Sequence, residues 1–171
     1  MSYNTTQRLP NPLQLFIPTL GKSVAWLTLI AATLTFTIVI LRRFGIGSIA
    51  TQETILYMHA TVFLLGAAYT LQADRHVRVD IFYQHLPASK KTIINTLGHC
   101  LLLIPVCIGI MIVSWDFVRF SWLIQEGSQE SGGLAGVYLV KSLMILMPCL
   151  LIYQALLEVI QTLLRYRSHA K

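Results

Sequence analysis

The run "SVAWLTLIAATLTFTIVIL", Ser23 to Leu41, decides the fold. It carries no charge, and it reaches the ~20 residues that an α-helix needs to cross a hydrocarbon core of ~30 Å. Its apolar part is longer than the core of a secretory signal. No small-residue cleavage pattern stands before Arg42 and Arg43, so it reads as an uncleaved first helix.

The rest of the chain agrees. Of 171 residues, 55% are hydrophobic and 12% charged, with a mean hydropathy of +0.65. A soluble domain has about 45–50% apolar and about 25% charged residues. The length predicts one domain. The formal charge of +6 is spread between apolar runs and forms no patch, so the expected contact is a membrane surface with its lipids and no nucleic acid. Cys100, Cys107 and Cys149 all lie in apolar runs without paired spacing, which predicts small apolar core residues over a metal or redox site.

Further spans follow. "GIGS", Gly45 to Ser48, is turn chemistry. A second helix is expected over about 53–71, with Thr51 as N-cap and Glu53 at the positive end of the helix dipole. A third is expected over about 93–115 with Ser89 as a possible cap. Val113, Phe117, Phe120 and Ile124 keep helical spacing, so it should run on to about Gln125, where "EGSQESGG" breaks it. A fourth is expected over about 134–164. Trp115 and Trp122 fit an interfacial aromatic belt. Pro105 and Pro148 fall mid-span and favour kinks. The chemistry predicts an all-α membrane protein of four long, kinked transmembrane helices. A tail of residues 1–22 precedes a helical domain over 23–165, and a tail of 166–171 follows.

Counting Lys and Arg sets the expected orientation. The segments 1–22 and 72–92 and the C-terminus carry nine, against three on the other side (Arg42, Arg43 and Arg119), with Lys141 inside the fourth span. The positive-inside rule then puts both termini and the central loop in the cytoplasm.

Few residues invite chemistry. There is no P-loop, nucleophile elbow, HExxH or cysteine–histidine cluster. His59 and His99 are the two intramembrane histidines, and a haem-bearing or haem-free membrane anchor of a redox enzyme is the alternative reading. They enter from opposite faces, each about 9 Å deep at ~1.5 Å per residue. In a ~30 Å core this separates them by about 12 Å, too far for one haem to bridge easily. Lys141 is the clear intramembrane charge. It is expected to snorkel or to pair with Glu126 or Glu130, in preference to binding substrate. Glu158 is expected to meet Arg165 or a neighbouring helix.

The densest charge cluster is "DRHVRVD", Asp74 to Asp80. Val79, Phe82, Tyr83 and Leu86 then form an apolar stripe, which predicts a short interfacial helix in the central loop ending before Pro87. His76 with Asp80, and Asp74 with Arg78, stand four apart and can pair; contact with a partner is the other reading.

The run "LLGAAYTLQADRHVRVDIFYQHLP" resembles the small permease subunit of tripartite ATP-independent periplasmic (TRAP) transporters, through the motif His76, Val77, Arg78, Val79, Asp80. A second likeness lies at Ser121, Trp122, Glu126, Ser128, Glu130, Gly132, Gly133, Leu134 and Lys141, with Pro148 following. Glu53 matches an acidic residue of the family's second helix. At Ala135, Gly136 and Val137 the chain departs from the proline and aromatic–arginine pair common in this branch. The resemblance implies a non-catalytic inner-membrane subunit with no cofactor or substrate site of its own. Its partners would be a large permease subunit and a periplasmic substrate-binding protein. The assembly would import an organic acid by symport, usually with sodium. Glu53, Arg75, His76, Arg78, Asp80, Glu126, Glu130 and Lys141 are the candidates for partner contact or for fixing topology.

Overall fold

The computed structural model describes residues 12–73 and 87–169. Among them are only helices and turns. Helix α1 spans Pro12–Arg43, α2 Ile49–Gln72, α3 Ala88–Gly98, α4 Ile104–Leu123 and α5 Val137–His169. A π turn, His99–Leu103, joins α3 to α4 into one continuous rod. Among the described residues four stretches are long and apolar enough to cross a membrane: Leu15–Arg43, Ile49–Gln72, Lys90–Leu123 and Val137–Leu164. Arg75, His76, Arg78 and Asp80, with the interfacial helix expected after them, lie outside the described residues.

The ends of the helices follow local chemistry. Helix α1 begins at Pro12, well before Ser23, and runs through Pro18, which lies in its second turn. Only in the first turn would a proline remove an amide that lacks a helical partner anyway, so Pro18 withholds one donor from the helix ladder near its start. The cap of α2 is Ser48, not Thr51: its backbone is extended and its Oγ accepts the Thr51 N–H at 3.3 Å. Pro87, not Ser89, caps α3, because its fixed φ of −65° and ψ of 153° lead out of the helix and Ser89 already lies inside it. Gln125 takes φ +48 just past α4, the left-handed conformation that stops a helix.

The π turn answers to Pro105. A proline lacks the N–H that an α-helix would donate to Leu101, and its ring crowds that carbonyl. Widening the preceding turn relieves the clash, and the Ile104 N–H reaches back five residues to the His99 carbonyl. Pro148 is absorbed differently, inside α5 and fully buried.

Threonine hydroxyls are hidden by the helices themselves. Thr33, Thr35 and Thr37 of α1, Thr54 and Thr61 of α2 and Thr96 of α3 each donate Oγ1 to the carbonyl four residues back, at 2.7–3.0 Å. A hydroxyl satisfied in this way can sit in hydrocarbon without an outside partner.

The helices form a row, not a closed bundle. Helix α1 packs on α2, α2 on α5, and α5 on α4 and the π turn. The seam between α1 and α2 is tight because Gly21 lies under the Tyr69 ring and Ala31 is fully buried. A buried cluster of Ile17, Ala68, Leu71, Cys107, Leu150 and Leu151 ties the row together near the end where the chain termini lie. Of the cysteines only Cys107 is a core residue. Cys100 and Cys149 are exposed, because a row leaves much of each helix uncovered. Trp26, Phe36, Val39, Ile112, Val113 and Phe120 are all more than half exposed on the flanking helices α1 and α4.

Candidate functional site: a polar latch at the loop end

At the end opposite the termini, the loop between α4 and α5 folds back over the start of α2. Glu53, one turn into α2, holds it. Its Oε1 accepts the Ser128 hydroxyl, and its Oε2 accepts the Leu134 N–H at 2.6 Å. The loop is self-braced. Ser128 N–H donates to the Leu134 carbonyl at 2.9 Å, Glu130 N–H to Ser128 Oγ at 3.1 Å, and Gly133 N–H to the Glu130 carbonyl at 3.0 Å. A charged acceptor shared between two donors is the strong form of hydrogen bond.

Two glycines make this geometry available. Gly132 has φ +82, where a side chain strains the backbone. A Cβ on Gly133 would overlap Ser128 and stand 2.8 Å from Glu53 Oε2.

A second pair lies beside the latch. Lys141, one turn into α5, donates to Glu126 Oε2 at 2.5 Å, and its ammonium sits 4.0 Å from the centre of the Phe117 ring. The sequence allowed Glu126 or Glu130; the structure selects Glu126, whose N–H is fixed on the Ser121 carbonyl at 3.0 Å. The Lys141 ammonium holds the Glu126 carboxyl below the ordinary glutamate range. The stabilisation is therefore complete above about pH 4.5 and is lost as pH falls through the lower folded value. Glu126→Gln is expected to lower the melting temperature at pH 7, with the difference from wild type closing at acid pH; thermal scans across pH check this. Trp122 completes the seam, donating Nε1–H to Ser142 Oγ at 2.7 Å and meeting Tyr138 edge-on at 4.7 Å.

The intramembrane histidines do not come together. His59 is exposed on α2. His99 is buried, with Nε2 3.7 Å from Glu158 Oε2, and Gln154 donates to Glu158 Oε1 at 2.9 Å. Glu158 thus meets a neighbouring helix; the side chain of Arg165 lies outside those described. Gln154 Oε1 is buried without a hydrogen-bond partner. An unpaired buried acceptor costs about 1–3 kcal/mol, comparable with the about 1.5–3 kcal/mol that a hydrogen bond to a carboxylate returns. Gln154→Met is accordingly expected to leave stability within about 1 kcal/mol of wild type in denaturant titration.

The sequence singled out Glu53, Glu126 and Lys141, but it placed Phe117 only in a helical stripe and gave no role to Ser142; the contacts of both cross helices. The adjacent glycines were the readable trace of the loop's tight turn. With this geometry in view, residues 31–165 match the family described as "Tripartite ATP-independent periplasmic transporters, DctQ component". The chain belongs to the DctQ family. Neither the curated proteins nor the solved structures provide a match. As a DctQ component it is a small membrane subunit of a TRAP transporter, a multi-pass protein of the inner membrane. The family is one of transporter components, not of enzymes, and it implies association with a large permease and a periplasmic binding protein.

Proposed function

We propose that this chain is the fixed scaffold of an ion-gradient-driven, sodium-coupled importer of an organic acid. The acid is delivered by the periplasmic binding protein and carried by the large permease. The observation that carries this reading is the row of helices latched at one end. Glu53 ties α2 to the loop joining α4 and α5, so three of the four spans are cross-braced. The flanks keep wide apolar faces free to cover a larger membrane partner. A braced plate of this kind suits a part that stays still while another moves.

Lys and Arg asymmetry supports cytoplasmic termini, with the latch on the periplasmic side. In this orientation Arg75, His76, Arg78 and Asp80 stand on the cytoplasmic side, where lipid headgroups and the large permease are their candidate contacts. Glu53, Glu126, Glu130 and Lys141 support the plate from the other end.

Co-expression with the large permease tests the reading. A tag on the permease should retain this chain at one copy each, and sodium-driven uptake should vanish when it is omitted. Purification of a stable lone chain from cells making both would overturn it. His76→Cys should label only from the cytoplasmic side; periplasmic labelling would reverse the orientation.

A further inference from the structure

A groove of ≈600 Å³ runs between α4 and α5 near the latch end, with Trp115, Arg119, Trp122, Ser142, Leu146 and Cys149 on its walls. Its lining is almost wholly apolar, with Arg119 the charged exception. Arg119 is exposed, and among the described residues no hydrogen bond or ion pair engages it. Asp116, one turn away, is also exposed and does not reach it. Trp122 donates Nε1–H to Ser142 Oγ between the groove's two helices, which orients its ring on that wall.

We infer that this groove is a site for one anionic phospholipid, its phosphate on Arg119 and an acyl chain along Trp115, Leu146 and Cys149. Charge complementarity selects the headgroup. An unpaired guanidinium at the rim of an apolar slot matches a phosphate above a hydrocarbon tail, and it presents the planar donor fork that phosphate oxygens accept. Arg42 and Arg43 lie at the same end of the row but on α1, with α2 and α5 between them and this groove. They can attract anionic lipid generally, but they do not line this slot.

The test uses the full chain assembled with its large permease. A photoreactive phenylalanine replaces Leu146, or Leu123 at the groove's other end should that variant fail to assemble. Crosslinking is read with alkyne-labelled phosphatidylglycerol or phosphatidylcholine in mixed vesicles. Phosphatidylglycerol is expected to be captured about five-fold more than phosphatidylcholine, the preference that one basic side chain near a headgroup confers. Arg119→Gln should bring the ratio to about one and Arg119→Lys should keep only part of it, because the ammonium retains the charge but not the planar fork. The same probe at Leu29, on α1, should show no dependence on residue 119. Equal capture of the two lipids by wild type would overturn the site, as would a preference that survives Arg119→Gln. Crosslinking of the groove to the large permease in place of lipid would assign it to a protein partner and also overturn it.

Discussion

Gly21→Leu is expected to pry α1 from α2. A Cβ at this position would lie 2.6 Å from Tyr69 Cδ2 and 2.8 Å from Tyr69 Cβ, so the clash reaches the root of the side chain and a ring rotation cannot remove it. Overpacking of this kind costs about 1–3 kcal/mol in a well-packed seam. The loss should be visible as a lower midpoint of thermal unfolding in detergent and as weaker retention by the large permease. Adding Tyr69→Ala should recover much of it, since the space then exists. If the single substitution is silent, the helices do not approach as described.

Gly133→Val is expected to open the latch. The added atoms would occupy the place of Ser128 Oγ and press on Glu53 Oε2. The two bonds to Glu53 must then lengthen or break. Loss of one hydrogen bond to a carboxylate is worth about 1.5–3 kcal/mol, so amide exchange at Leu134 should quicken about ten-fold or more. Glu53→Gln offers a gentler comparison, because it weakens the acceptor without filling space. Unchanged exchange at Leu134 in the valine variant would show that the loop has another anchor.

Much of this fold is legible in composition. Charge-free runs of bilayer length mark the spans, and turn chemistry marks the breaks between them. The row is not legible, because helices with apolar residues on every side do not announce which sides meet. The seam of Gly21 and Ala31 against α2 becomes evident only when the packing is known. Pro105 signalled a local distortion, but its form, a widened turn reaching from Ile104 back to His99, depends on how the chain redistributes one missing donor. At the latch, Glu53 was readable as a dipole partner for its own helix. Its true partners, Ser128 and Leu134, lie far along the chain, and distance in sequence hides such pairs. The choice of Glu126 over Glu130 for Lys141 likewise rests on where the loop turns.

The serial arrangement of the spans makes this a nearly one-dimensional assembly. Interior helices have a neighbour on each side, and flanking ones have essentially a single seam. Stability then approximates a sum over successive interfaces, as in a stack of repeats. Disruption at one seam should therefore propagate weakly past the next. The exception is the buried cluster in which Ile17 joins Leu150 and Leu151, which links the two sides of the row at one end. Peeling of α1 should begin at the opposite, Arg43 end and slow as it reaches Ile17, giving the subunit a separable outer edge and a cooperative remainder.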